Sequence, residues 1–236
     1  MTKKKHIIAI GGGGFMRDKN NQKIEKYILS ISKHIRPNIC FIPTASGDSN
    51  RYIARFYEVF SKLNCNPSHI TFFDRTIDLQ EHINNQEIIF VGGGNTKSML
   101  GVWREWGLTE ILKKAYWNGI IMSGVSAGAI CWFESGITDS WSEKLEIIDC
   151  LGLINGCCCP HFDEEKERSP FVEKVLQTKQ SNFDINSCFC IDGGCALHLI
   201  DGKPHNSFNF VKDKGSYLIK RNFNKKNIQD LIIEKL

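Results

Sequence analysis

The strongest indication of this chain's fold is the segment Gly119-Ile120-Ile121-Met122-Ser123-Gly124-Val125-Ser126-Ala127-Gly128-Ala129. We predict a central strand over 119–123, followed by a Gly-x-Ser-x-Gly turn and a helix. Such a turn needs small residues beside the serine, and it holds the Ser126 hydroxyl above the edge of a sheet. The Ala127 N–H then points to where an oxyanion would form, and the helix N-terminus favours that charge. We therefore expect Ser126 to be a nucleophile; the plainer interpretation is a tight turn whose serine caps the helix.

The segments around this turn alternate between short apolar strands and amphipathic helices. This alternation favours a mostly parallel sheet with helices on both faces, in which ligands bind beyond the carboxyl ends of the strands. Further strands are predicted at 6–10, 38–42, 70–73 and 87–91. Helices are predicted at 20–35, 51–63, 108–117 and 164–179, with another beginning near Thr96. After Cys150 we expect a loop through His161, a strand or hairpin at 188–200 and a last helix at 227–236.

Composition narrows the class of protein. The chain has 236 residues, 42% of them hydrophobic, so it can bury a sizeable core, and we expect one α/β domain over 1–236. The net charge of +4 is spread along the chain without a recognition module, which argues against a nucleic-acid partner. No apolar run is long enough to cross a bilayer, and residues 6–10 are too short for an export signal. We therefore expect a cytoplasmic protein with no membrane partner.

Cysteine and tryptophan counts add two expectations. The ten cysteines should be mostly free thiols that pack as small hydrophobic side chains in a reducing compartment. The five tryptophans could line the core or an interface, so a homodimer is left open.

A serine nucleophile needs a general base, and His161 is the candidate. It lies in Cys157-Cys158-Cys159-Pro160-His161-Phe162-Asp163, where Pro160 stiffens the preceding backbone. A lone loop histidine is more often structural, and it is the pairing with Ser126 that favours catalysis. The thiols beside it do not predict a metal site, because adjacent cysteines are awkward ligands and no second Cys-x-x-Cys or His-x₃-His spacing accompanies them.

Two other glycine runs bear on ligands. Gly92-Gly93-Gly94-Asn95 could supply a second oxyanion donor, or it could be a turn in which Asn95 caps the next helix. No Gly-Lys-Ser/Thr follows it, which argues against a phosphate loop. The run at 11–14 lacks the third glycine of a dinucleotide fingerprint. We therefore expect no cofactor.

Three segments together resemble the peptidase E (α-aspartyl dipeptidase) and cyanophycinase family, and peptidase E-like members in particular. They are Ile89-Phe90-Val91-Gly92-Gly93-Gly94-Asn95-Thr96, Gly124-Val125-Ser126-Ala127-Gly128-Ala129 and Pro160-His161-Phe162. The resemblance implies a flavodoxin-like α/β fold related to class I glutamine amidotransferases, a Ser-His-acid triad and no metal. Members of the family cleave dipeptides with an N-terminal Asp or a β-linked Asp-Arg polymer.

Carried over by position, the resemblance makes Ser126 the nucleophile and His161 the general base. Gly93 or Gly94, together with Ala127, would form the oxyanion hole.

The acid of the triad is where this chain departs from the family. The resemblance implies a Glu in a late loop, but here that loop is Ile191-Asp192-Gly193-Gly194-Cys195-Ala196-Leu197, with Gly193 at the matching position. We expect Asp192, one residue earlier, to take the role, although an Asp before two glycines also suits a plain turn. Asp139 is the rival, and Glu134 and Asp163 are weaker candidates.

Substrate contacts are expected from two residues. Arg168 is the candidate cation for a substrate carboxylate, and Asn95 lies beside the expected oxyanion loop. The acidic run Asp163-Glu164-Glu165 could attract an N-terminal amine, or it could be a solvated helix start that the macrodipole favours.

Together these features predict a serine-type dipeptidase that acts on small peptides, with an Asp-Xaa preference implied by the resemblance. One alternative is an α/β-hydrolase esterase, whose Ser-acid-His order would make Asp139 the acid. The other is a non-catalytic member of the fold that binds a small ligand or partner.

Overall fold

The computed structural model describes residues 3–141, 144–178, 185–221 and 231–236. Its larger sheet has seven strands in the order β11-β10-β1-β5-β4-β2-β3. Strands β1, β5, β4, β2 and β3 are parallel neighbours, whereas β10 pairs antiparallel with both β1 and β11. The seven strands are β1 (His6–Ile10), β2 (Asn38–Ile42), β3 (Asn66–His69), β4 (Ile88–Val91), β5 (Ile121–Val125), β10 (Cys195–Ile200) and β11 (Lys203–Asn209).

A second sheet has six strands in the order β13-β12-β9-β8-β6-β7. Its β6-β8 and β8-β9 pairs are parallel, and the other three pairs are antiparallel. The six strands are β6 (Phe133–Thr138), β7 (Glu146–Asp149), β8 (Ile154–Cys159), β9 (Ser187–Ile191), β12 (Ser216–Arg221) and β13 (Leu231–Lys235).

Helices cover both faces of the larger sheet, as predicted. Strand β1 shows why: Ile7 and Ala9 pack into one core and Ile8 and Ile10 into the other, so both faces are buried. The first core faces α3, α4 and α5 and reaches the second sheet, and the other faces α1 and α2. The helices are α1 (Lys23–Ile31), α2 (Asn50–Phe60), α3 (Leu79–Asn84), α4 (Thr96–Glu105), α5 (Leu108–Trp117), α6 (Ala127–Ile130) and α7 (Arg168–Gln177).

Four predicted elements are wrong in whole or in part. Residues 70–73 are not a strand, because the Asp48 carboxylate holds the N–H groups of Phe72 and Phe73 in a loop. The expected loop between Cys150 and His161 contains β8. Residues 188–200 do form strands, but the hairpin alternative is wrong, since β9 and β10 belong to different sheets. Of the expected last helix, residues 231–235 form β13, and residues 227–230 lie outside the described chain.

The parallel strands bring three turns to one edge of the larger sheet. These turns follow β1, β4 and β5, and they contain the three glycine-rich segments of the sequence. In the part of the chain that the structure describes, no helix is long and apolar enough to span a membrane.

Candidate active site

Ser126 lies at the turn between β5 and α6. Its φ is +57° and its ψ is −113°, a conformation that is strained for a residue with a Cβ and is characteristic of functional turns. The Ser126 N–H donates to the carbonyl of Ile10 at 3.0 Å, which ties the turn to the end of β1. The side chain makes no capping hydrogen bond to α6, so the helix-cap interpretation is wrong.

The two glycines of the Gly-x-Ser-x-Gly motif are required by close backbone approaches. A Cβ on Gly124 would lie 2.3 Å from the Gly128 carbonyl oxygen, and a Cβ on Gly128 would lie 2.2 Å from the Val91 carbonyl oxygen. Both distances are far shorter than a carbon-oxygen contact allows. The motif therefore packs the turn against β4 and leaves the Ser126 hydroxyl facing outward.

His161 meets Ser126 directly. Its Nε2 lies 2.9 Å from Ser126 Oγ, although the two residues are 35 positions apart. The His161 backbone also has a positive φ of 53°, and its N–H donates to the Gly11 carbonyl at 3.0 Å. A Cβ on Gly12 would lie 2.7 Å from His161 Nδ1, so the glycine run after β1 makes room for the imidazole.

Glu164, rather than Asp192, holds the other side of the imidazole. Its Oε2 lies 2.5 Å from His161 Nδ1. Because a carboxylate only accepts, Nδ1 carries the ring proton, and Nε2 is left to accept from the Ser126 hydroxyl. The three side chains thus form one hydrogen-bonded series, Glu164 to His161 to Ser126.

The prediction that Asp192 is the acid of the triad is wrong, because its carboxylate lies away from His161. Asp192 is buried, and its Oδ2 accepts from the Gly215 N–H at 2.9 Å, so it closes a turn instead of contacting His161. Burial raises its pKa. The other candidates also lie elsewhere: Glu134 accepts from the Gly156 N–H, Asp163 accepts from the Gly193 N–H, and Asp139 is solvent-exposed.

Two groups determine the charge of Glu164. Burial alone would raise its pKa, but hydrogen bonds from Arg17 and His161 outweigh burial and hold the pKa below its usual value. Arg17 forms an ion pair with this carboxylate, and its Nη2 lies 3.2 Å from Oε2. Glu164 is therefore ionised at neutral pH, the state in which it can accept from Nδ1.

Two of the predicted oxyanion residues, Ala127 and Gly93, lie next to Ser126. Ala127 is the first residue of α6, so its N–H has no acceptor within the helix. A Cβ on Gly93 would lie 3.2 Å from Ser126 Cβ, which brings that loop against the nucleophile turn. The Gly93 N–H donates to the Tyr52 hydroxyl at 3.3 Å, which favours Gly94 as the second donor.

The two predicted substrate-binding residues are occupied by the protein itself. The Asn95 side chain caps α4 by accepting from the Ser98 N–H at 2.8 Å, and it donates to the Ser140 carbonyl at 2.6 Å. Arg168 is only 3% exposed, because its guanidinium turns inward to Glu165 and to the Ile137 carbonyl. Neither side chain is presented to a ligand, and both expectations are wrong for this conformation.

The thiols before His161 do not compete with Ser126. Cys158 and Cys159 are fully buried, and burial raises the pKa of both thiols, which disfavours the reactive thiolate. Across residues 3–141, 144–178, 185–221 and 231–236, no group of three or more His, Cys, Asp or Glu side chains could hold a metal ion.

Sequence reasoning missed Glu164 and Arg17. The signal for Glu164 was its His-x-x-Glu spacing, which puts it one turn beyond His161. Arg17 follows the glycine run that fails as a dinucleotide motif. Nothing local to Arg17 in the sequence indicates a partner 147 positions away.

Comparison with known proteins agrees with the resemblance seen in the sequence. The profile described as Peptidase family S51 matches residues 7–206. The chain is 47% identical over 198 residues to the uncharacterized peptidase YgaJ of Bacillus subtilis (strain 168), covering 84% of each chain. These matches confirm the predicted peptidase E-like relationship.

Solved structures confirm the predicted flavodoxin-like fold. A putative peptidase E protein from Listeria monocytogenes EGD-e matches with a TM-score of 0.64 and 14% identity, over 87% of this chain and 98% of that one. A peptidase from an acI-B1 Actinobacterium matches with a TM-score of 0.67 and 16% identity, over 100% and 94% of the two chains. With the family profile spanning most of its length and a relative nearly half identical to it, the chain belongs to peptidase family S51.

Proposed function

We propose that the protein is a serine-type peptidase that hydrolyses small peptides through an acyl-enzyme. The observation that carries this proposal is the hydrogen-bonded series from Glu164 through His161 to Ser126, with the serine on a strained turn. A nucleophile, its base and an acid that orients the base are the parts that acyl transfer needs.

In the proposed mechanism, Ser126 Oγ attacks the amide carbonyl while His161 Nε2 takes the hydroxyl proton. The imidazolium that forms is stabilised by the Glu164 carboxylate at Nδ1. The N–H groups of Ala127 and Gly94 hold the negative charge on the carbonyl oxygen. His161 then protonates the leaving amine, activates a water molecule and releases the acyl group.

The position of the acid along the chain helps to choose among enzymes. In an α/β-hydrolase esterase the acid comes between the serine and the histidine. Here the carboxylate that contacts His161 belongs to Glu164, which follows the histidine in the sequence. This order favours the peptidase over the esterase. A carboxylate already on Nδ1 also favours an enzyme over a non-catalytic binding protein.

Small peptides are the proposed substrates because the resemblance is to dipeptidases. The Asp-Xaa preference cannot rest on Arg168, whose guanidinium is buried against Glu165. Arg17 and Lys214 are cations that lie near the site, and each already pairs with a carboxylate. The cytoplasm is the proposed compartment, in keeping with ten cysteines that are all free thiols.

The test is hydrolysis of a dipeptide panel (Asp-Leu, Asp-Arg, Glu-Leu and Ala-Leu) by wild type and by Ser126→Ala. Release of free amino acids by wild type alone supports the proposal, and the panel then reports the side-chain preference. A fluorophosphonate probe is run in parallel. If wild type cleaves nothing and the probe does not label Ser126, the proposed function is wrong.

A further inference from the structure

The Glu164 carboxylate occupies a space that only a glycine leaves open. A Cβ built on Gly193 would lie 2.3 Å from Glu164 Oε1 and 2.5 Å from its Cδ. The loop that contains Gly193 is held in place by neighbouring segments: the Gly193 N–H donates to Asp163, and the Gly194 N–H donates to the Gly12 carbonyl at 2.9 Å. Glu164 therefore reaches His161 by lying across this glycine.

The segment that carries Glu164 does not by itself fix the carboxylate. Glu164 ends a turn that begins at His161: its N–H donates to the His161 carbonyl at 3.0 Å, and its side chain is 25% exposed. A glutamate has three rotatable side-chain bonds, so a partly exposed carboxylate loses conformational freedom when it is held against one atom. Something must offset that loss for Nδ1 to keep its partner.

Arg17 is the group that holds the carboxylate from the opposite side. Its Nη1 donates to Oε1, and its Nη2 lies 3.2 Å from Oε2, the oxygen that contacts His161. A planar guanidinium fork matches the two oxygens of a carboxylate and restricts rotation of both groups.

The backbone beneath Arg17 is rigid. Phe15, two residues earlier, is 2% exposed and packs against aromatic rings of α2 and of the neighbouring strands. The Phe15 N–H donates to the buried Glu25 carboxylate at 2.7 Å, and the Arg17 N–H donates to the Gly14 carbonyl at 3.0 Å. The guanidinium thus extends from a fixed turn, although 62% of the side chain is exposed to solvent.

We propose that Arg17 is a positioning residue of this site, which holds the Glu164 carboxylate over Gly193 and against His161 Nδ1. The proposal rests on the proposed function. Arg17 touches neither Ser126 nor the reacting atoms, so it acts through Glu164 alone. The charged and titratable groups that face Glu164 are His161 and Asp163 on its own segment, Arg17 after β1 and Lys214 before β12.

The test compares Arg17→Ala and Arg17→Lys with Lys19→Ala, a matched control two residues away. Lys19 pairs with Glu58 at the surface, outside the site. Each protein is assayed for the rate of fluorophosphonate labelling at Ser126 and for kcat and KM on a cleaved dipeptide, as a function of pH. Methylguanidinium is then added, because the exposed position of Arg17 allows a small cation to fill the space that alanine leaves.

We expect Arg17→Ala to lower kcat and the labelling rate by about 10- to 100-fold with KM nearly unchanged, since a catalytic group displaced by about 1 Å can cost a factor of 10². Arg17→Lys should recover part of the rate through a single charge. The acid limb of the pH profile should move to higher pH in Arg17→Ala, because burial of Glu164 is no longer opposed by the guanidinium. Methylguanidinium should accelerate Arg17→Ala and leave wild type and Lys19→Ala unchanged.

A labelling rate for Arg17→Ala within about twofold of wild type overturns the proposal. A loss that methylguanidinium does not reverse and that leaves the pH profile in place also overturns it, since that pattern belongs to a structural role. If wild type neither cleaves a dipeptide nor is labelled, the proposed function has failed, and the proton NMR signal of the His161 Nδ1–H decides the Arg17 proposal. That signal should lie far downfield in wild type and Lys19→Ala and be lost in Arg17→Ala; its persistence in Arg17→Ala overturns the proposal.

Discussion

Replacing Glu164 with glutamine changes one oxygen into an amide nitrogen and keeps the shape of the side chain. Arg17 then decides which end of the amide faces His161. A guanidinium only donates hydrogen bonds, so it keeps the amide oxygen and turns the NH₂ group toward Nδ1. Nδ1 must then accept, the ring proton moves to Nε2, and Nε2 can no longer accept from Ser126.

The expected loss follows from this change of tautomer. An asparagine in place of the triad aspartate of a serine protease leaves the geometry intact and lowers kcat by about 10⁴, which corresponds to about 5 kcal/mol in the activation free energy. Folding should change far less, because the Glu164 side chain is 25% exposed and a partly exposed ion pair contributes about 1 kcal/mol or less.

The matched control is Asp192→Asn, the same chemical change at the residue expected from sequence. Asp192 accepts from the Gly215 N–H and does not touch His161, so its kcat should stay near that of wild type. Its free energy of unfolding should fall by about 1 kcal/mol, because a buried hydrogen bond to a charged acceptor is weakened. The assays are dipeptide hydrolysis and urea unfolding. The opposite pattern, with Asp192→Asn inactive and Glu164→Gln active, would refute the assignment of the acid.

Three further predictions concern packing and pH. Gly12→Ala should lower kcat by about 10²-fold with little change in Tm, since its Cβ would lie 2.7 Å from His161 Nδ1 and displace the ring; full activity would contradict this close approach of Gly12 to the ring. Gly128→Ala should instead lower the free energy of unfolding by about 1–3 kcal/mol in urea titrations, because its Cβ would lie 2.2 Å from the rigid Val91 carbonyl; unchanged stability would show that the turn can shift. Burial raises the pKa of Glu25 to about 7, above its unfolded value, so the contribution of Glu25 to stability is fully present below the unfolded pKa and is lost as pH rises through about 7. Urea titrations across this range should show the decline in wild type and not in Glu25→Gln, and a decline that persists in the variant would assign it to another group.

Much of the larger sheet could be predicted because its strands carry strong local signals. The strand at His6–Ile10 is apolar at every position after the first and ends in glycine, and such a run buried on both faces has few other interpretations. The second sheet could not be predicted in this way. Strand β8 (Ile154–Cys159) contains Asn155 and Gly156 followed by three cysteines, and neither alternation nor β-branched residues identify it. Its partners β6 and β9 come from distant segments, so only tertiary packing selects it.

The nucleophile turn and the histidine were accessible from sequence for a related reason. The sequence of a Gly-x-Ser-x-Gly turn specifies its geometry, because each glycine allows a close backbone contact. Gly124 approaches the Gly128 carbonyl within the turn, and Gly128 approaches the Val91 carbonyl of β4. The three consecutive carboxylates at 163–165 do not show which of them contacts His161, because acidic residues are favoured near a helix start whether or not they take part in catalysis. The contact that separates Glu164 from its neighbours is made by Arg17, from a turn 147 positions earlier.

Local and long-range contacts have different tasks in assembling the site. His161 and Glu164 lie on one short turn, so their backbones are brought together locally. Long-range contacts must still dock that turn against Ser126 and hold the Glu164 carboxylate on His161 Nδ1. Three of the docking contacts come from the segment after β1: Gly11 accepts from the His161 N–H, Gly12 leaves room for the ring, and Arg17 holds the carboxylate. A shift of this segment would therefore displace base and acid together. The glycine run at 11–14 lacks the spacing of a dinucleotide motif, and its contacts with the base explain its presence. Gly11 and Gly12 allow His161, and with it Glu164, to lie beside Ser126.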